Sequence, residues 1–151
     1  MNSATELSAP QADQQGTTLL DLARMISDSG EQDVMKLNDL KSSVGHELRR
    51  FGDDLSGHLG AHAQVKVPPA YQLRSAEQGK VMVVGDHPDK AAIENYLNND
   101  TRLLKWFKEL EVLFEIQRRL ELDATGESMD GQVFNLGMTS LGCIAFFTSE
   151  Q

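Results

Sequence analysis

One pattern constrains this chain more than any other. Between Glu31 and Gly60, the residues Val34, Leu37, Leu40, Val44, Leu48, Phe51, Leu55 and Leu59 recur at steps of three and four. At about 100° per residue all of them fall inside an arc of about 120°, which predicts a long amphipathic helix. Lys36, Asp39, Lys41, Glu47, Arg49, Arg50 and Asp53 lie mostly outside that arc. Gly45, Gly52, Gly57 and Gly60 interrupt it, each weakening a helix interior by about 1 kcal/mol relative to Ala. They predict either a frayed or kinked C-terminal half or the close approach of another backbone. Such a stripe either packs on the domain's own sheet and helices or docks a partner or a second copy. The reading adopted from sequence assigns Leu37, Val44, Leu48, Phe51 and Leu55 to partner binding.

The pattern changes at Ala63. Gln64 to Val67 alternates, and Pro68-Pro69 stops any ladder. Tyr71–Arg74 and Lys80–Val84 flank Glu77-Gln78-Gly79, which predicts a β-hairpin with a short turn. Gly85-Asp86-His87-Pro88 then opens a short helix, with Pro88 at its first position and Asp86 or His87 as its cap. Asn98-Asn99 ends it. Asp100 caps a longer helix from Thr101 to about Leu122, apolar on more than one face and therefore expected at the centre of the core. Within it, Lys105/Glu109 and Glu115/Arg119 have the spacing of i,i+4 ion pairs. Gln132–Leu136 and Cys143–Phe147 read as two strands joined through Gly137–Gly142.

Upstream, residues 1–16 are rich in Ser, Ala, Gln and Thr and poor in large apolar side chains, which predicts a disordered tail. Thr17 or Thr18 caps a short helix carrying Leu19, Leu22, Ala23 and Ile26, ended by Ser29-Gly30. The expected organisation is a tail at 1–16 followed by one α+β domain at 17–151, with a helical arm at 17–62 and an α+β core at 63–151. The fold class is α+β: a long amphipathic N-terminal helix, a buried second helix and a small antiparallel sheet of about four strands.

Charge narrows the function classes. With 23 acidic and 14 basic residues, the net charge of −9 disfavours phosphate backbones and anionic membrane surfaces and suits a basic partner. Cys143 is the sole cysteine, so neither an internal disulfide nor a cysteine-only zinc site is available. The N-terminus has neither the basic nor the apolar region of a cleaved signal peptide, which favours a cytoplasmic location or export by a route that leaves the N-terminus uncut.

Three constellations have chemical potential. Asp54, His58 and His62 stand at i, i+4 and i+8, which on an unbroken helix stacks them along one edge as metal ligands can be. Their simpler role is a solvated helix end whose histidines suit the macrodipole. Asp86 and His87, between a strand and a helix, can form an acid/base pair beside an anion site, or serve only as turn and cap. Gly137-Met-Thr-Ser140-Leu-Gly142 departs from the nucleophile elbow by one residue and reads as a hairpin turn. Cys143 has no neighbouring cation in sequence to activate it and reads as an inert thiol.

The run from Gly79 to Asp100 resembles a strand, Gly-Asp-His-Pro-Asp-Lys and short-helix segment of uncharacterised bacterial proteins. The Ser/Thr/Gln-rich tail, small size and acidity are similar in composition to components of bacterial secretion systems. Neither resemblance implies an activity. The sequence reading is a non-enzymatic interaction or assembly component of bacterial type, acting through the 34–59 helix and an acidic surface on a protein partner or a second copy. It expects no cofactor, metal or nucleic acid. The rival is a small hydrolase or metal-dependent enzyme using His87 and Asp86, or Asp54, His58 and His62.

Overall fold

The computed structural model describes residues 34–149, with side chains from Leu37 onward. The 1–16 tail, the short helix expected over 17–30 and the side chain of Val34 lie outside the described residues. Helix α1 spans Val34–Ala63, and β1 (Tyr71–Ser75) and β2 (Val81–Val83) form a hairpin. Helices α2 (Lys90–Asn98) and α3 (Thr101–Thr125) follow, then β3 (Gln132–Thr139) and β4 (Gly142–Ser149). The four strands make one antiparallel sheet in the order β2-β1-β3-β4. This is the α+β arrangement that the periodicities predict.

Helix α1 runs unbroken for 30 residues, so its glycines neither fray nor break it. Gly52 has the other role: a Cβ there would lie 2.5 Å from Cβ of Cys143, so the bare backbone lets α1 rest directly on β4. Gly45 and Gly57 have nothing within 4 Å of a built Cβ. Helix α3 runs antiparallel to α1, with Arg102 bonded to Asp54 at one end and Lys41 paired with Glu121 at 3.0 Å at the other.

The strands divide their side chains with a period of two. Tyr71, Leu73, Val81, Val83, Phe134, Leu136 and Met138 point to the helices and are buried. A chain of rings crosses from helix to sheet: Phe51 to Phe107 at 6.4 Å, Phe107 to Phe134 at 5.9 Å, and Phe134 to Phe147 at 5.7 Å. These tilted and edge-on contacts suit aromatic quadrupoles. A second, smaller cluster joins Leu40, Val44 and Leu113, with Leu37, Phe114, Ile116 and Leu120 packed around it.

The burial of α1 corrects the sequence reading of its stripe. Val44, Phe51 and Leu55 have no exposed surface, and Leu48 and Leu37 are half-buried against the two clusters. All five side chains named as partner contacts face their own chain. The physical reason is that α3 and the sheet each bring an apolar face to the same helix, and burial in the chain's own core removes that surface from water without an association cost.

Local signals hold unevenly. Asp100 caps α3 as expected, its Oδ1 accepting from Leu103 N at 2.9 Å, and Gly126 ends the helix at φ 77°. Helix α2 begins at Lys90, later than the Pro88 start expected, because the His87 ring accepts the Asp89 amide at 2.9 Å and holds that turn outside the helix. The β3–β4 connection is tighter than expected, with Ser140-Leu141 alone between the strands. Neither Lys105/Glu109 nor Glu115/Arg119 comes within ion-pair distance among the described residues.

The glycines of α1 therefore respond oppositely to alanine. Gly52→Ala should lower unfolding free energy by about 1–3 kcal/mol, as over-packing does. Gly57→Ala, exposed and unobstructed, should raise it by about 0.4–1 kcal/mol. Urea denaturation of the two variants beside the parent checks both signs.

Candidate functional site: the outer sheet face and the two sheet edges

Helices α1, α2 and α3 pack on one side of the sheet. The other side carries Gln72, Arg74, Met82, Asn135, Gly137, Ile144, Phe146 and Thr148, and no described element covers it. Its centre is Asn135, fully buried and fully satisfied. Its Oδ1 accepts from Gln72 Nε2 at 2.8 Å and Arg74 Nε at 3.0 Å. Its Nδ2 donates to Val133 O at 3.0 Å and Thr148 Oγ1 at 2.9 Å. Arg74 also donates to Thr148 Oγ1 at 3.4 Å. The guanidinium is thus fixed in place by neutral groups, with no carboxylate within 4.0 Å among the described residues.

Apolar side chains surround this polar centre. Met82, Val84, Val133 and Phe146 are half-buried, and Ile144 is 51% exposed. Beside them is a hollow of about 280 Å³, lined by Tyr71, Gln72, Val84, His87, Ile144 and Phe146 among others. Gly137 forms part of it, and Ile144 and Phe146 lean over the space a side chain would take there.

The sheet's two edges are treated differently. At β2, Val81 N donates to Asn98 Oδ1 at 2.8 Å, Asn98 Nδ2 donates to Val81 O at 2.9 Å, and Val83 N donates to Glu94 Oε2 at 2.8 Å. Glu94 and Asn98 are one helical turn apart, about 6 Å along α2, which matches the spacing of about 6.8 Å between alternate strand residues. The outward backbone of β2 is therefore sealed by side chains. At β4 no side chain or further strand bonds the outer edge among the described residues, and Gly-Cys-Ile-Ala-Phe-Phe-Thr-Ser contains no charge and no proline.

Of the chemically suggestive residues in this region, His87 bonds only backbone groups among the described residues. His87 accepts Asp89 N at Nδ1 and meets Pro69 O with Nε2 at 3.1 Å, and its ring sits edge-on to Tyr71 at 5.7 Å. That bonding requires the tautomer with hydrogen on Nε2 and occupies both nitrogens with backbone groups. Asp86 is exposed and makes no hydrogen bond with His87. Ser140 is exposed in the β3–β4 turn. Cys143 faces Gly52, and burial, with a smaller contribution from Asp53, pushes its thiol up to about 12.

Asp54, His58 and His62 do line one edge of an unbroken helix, but a cation already occupies their first carboxylate. Arg102 Nη2 donates to Asp54 Oδ2 and lies 3.3 Å from His58 Nε2, and the bond to Asp54 raises the Arg102 pKa. His58 Nδ1 meets Tyr96 OH at 3.1 Å, and His58, His62 and Tyr96 stack at 5.8–6.2 Å between ring centroids. Among the described residues no group of three His, Cys, Asp or Glu side chains is placed to hold a metal ion. Arg102 and Arg50 also flank Trp106 at 5.6 and 5.7 Å, which joins α1 to α3 by cation–π contact.

Sequence reasoning missed a second polar cluster. Lys108 Nζ donates to Ser75 Oγ at 2.6 Å and to Lys80 O at 3.1 Å, while Ser75 Oγ donates to Glu111 Oε1 at 2.8 Å. It straps α3 to the β1–β2 hairpin. Lys108 and Glu111 are three apart on α3, but nothing local to Ser75 announces them.

The raised thiol of Cys143 makes stability depend on alkaline pH. The unfolded thiol ionises near pH 9 and the folded one near 12, so stability falls as pH rises above about 9, by up to about 1.4 kcal/mol per pH unit. Tyr71, its hydroxyl also pushed up chiefly by burial, adds to the fall above about pH 10. Urea midpoints between about pH 8 and 10 should drop less steeply in Cys143→Ala than in the parent.

No described helix is long and apolar enough to cross a membrane. Comparison with protein-family models, with curated proteins and with solved structures finds no match to this chain.

Proposed function

We propose that the protein is a non-enzymatic interaction or assembly component that works through the uncovered face of its sheet rather than through the α1 stripe. The observation that carries this reading is the outer face itself: Ile144, Phe146 and Val84 line a hollow of about 280 Å³, and on the same face Asn135 and Thr148 hold an arginine that has no carboxylate partner among the described residues. An antiparallel sheet with one solvated face normally presents polar residues there. An apolar patch next to a pre-positioned guanidinium supports recognition instead, because Arg and aromatic side chains dominate interface energetics.

The partner is an extended, net-basic polypeptide. The net charge of −9 draws such a chain toward the molecule, and within the footprint one carboxylate meets Arg74 while an apolar side chain enters the hollow. A rigid guanidinium loses little side-chain entropy on pairing, which favours a bidentate carboxylate contact.

Selection from a random-peptide library against the full chain tests this. Enriched peptides should share a large apolar residue and an Asp or Glu in a basic context, and Arg74→Gln should weaken them about tenfold or more, the loss of a charge-assisted contact. Ile144→Asp should abolish the selection. Enrichment of no common pattern, or binding indifferent to both substitutions, would overturn the reading.

A further inference from the structure

The order of charge along the outer face follows from the strand register. Gln72 pairs with Gly137, and Gly137 with Ile144, so the three form one row across the sheet. Gln72 O accepts from Val84 N at 2.8 Å, which brings Val84 into the same row. All four residues line the hollow. Arg74 lies two residues further along β1 and therefore one row away, about 6.8 Å, where it bonds Asn135. Neither Arg74 nor Asn135 lines the hollow.

The opposite end of the hollow has the opposite charge. Thr139 stands two residues past Gly137 on β3, on the side away from Asn135, and it lines the hollow together with Asp86. Asp86 is exposed and has no ion-pair partner among the described residues. A guanidinium, an apolar hollow and a carboxylate thus follow one another in successive rows, over two steps or about 14 Å.

The geometry points to an occupant with a fixed charge order: an extended peptide segment with an acidic residue over Arg74, a large apolar residue in the hollow and a Lys or Arg over Asp86, each two residues from the next. This rests on the reading of the outer face as a binding surface and adds to it the place and spacing of a basic residue. An extended chain returns a side chain to one face every two residues, about 6.8 Å, which matches the row spacing. A helix covers the same distance only at four-residue spacing, and it would need an apolar stripe along its length where this face offers one hollow between two charges. The net charge of −9 draws a basic chain in, and the local pair of opposite charges sets its register, because a shifted segment places like charges together.

Peptide selection against the full chain and against its Asp86→Lys variant tests the order. Peptides selected by the parent should carry Lys or Arg four positions from the acidic residue, with the apolar residue midway. Asp86→Lys should exchange that basic residue for Asp or Glu and leave the other two positions unchanged. Asp86→Asn should weaken the parent-selected peptides about two- to fivefold, the effect of losing an exposed ion pair. If binding depends on Arg74 and Ile144 but the selected pattern ignores Asp86→Lys, this inference falls and the reading of the face stands. A basic residue at another spacing overturns it too. No enrichment by the parent removes both.

Discussion

The approach of α1 to β4 at Gly52 sets the geometry on which the rest of the molecule depends. With no side chain between them, the helix backbone comes close enough for Phe51 and Leu55, its neighbours on the stripe, to enter the same apolar layer as Phe107 and Phe134. A Cβ at that position would push the whole helix outward and open voids along its length, since protein interiors tolerate little slack. The remainder of the helix reaches past this contact to a second cluster with α3, where Leu40 and Val44 meet Leu113. One small residue thus allows one long helix to close two parts of the core.

Closing the core on one side leaves the other side of the sheet to do something else. A two-layer α+β fold has one buried and one solvated sheet face, and the solvated face here is organised rather than merely polar. Asn135 uses all four of its hydrogen-bonding positions, on Gln72, Arg74, Val133 O and Thr148, so the guanidinium is held in place by the chain itself. The same division applies to the edges: α2 satisfies the outer backbone of β2, and no described residue bonds the outer backbone of β4.

The residues that look most reactive in sequence are consumed by structure. His87 spends both ring nitrogens on backbone groups, and Asp54 and His58 are tied to Arg102 and Tyr96. In each case the side chain satisfies a group that would otherwise be left unpaired at a helix end or between helices. The exposed pair of Arg102 and Asp54 contributes only about 0–1 kcal/mol, while the part-buried bonds of His87 to Asp89 and of His58 to Tyr96 spare a larger desolvation cost.

Sequence alone determined the elements whose signals are local. The stripe from Leu37 to Leu59 specified α1, Asp100 marked the start of α3, and short apolar runs between turn residues marked the four strands, because periodicity and capping act within a few residues of where they are read. It could specify that α1 had an apolar face to bury, but not what would bury it. That choice rested on α3 and β4, which lie far along the chain and meet α1 only after folding. The same holds for the candidate site: Arg74, Asn135 and Thr148 are individually unremarkable in sequence and become one network only through the β1–β3–β4 register. Tertiary structure alone decided which apolar surface stays in water, because exposure depends on what the finished layers cover, and pattern reports only what each segment could hide.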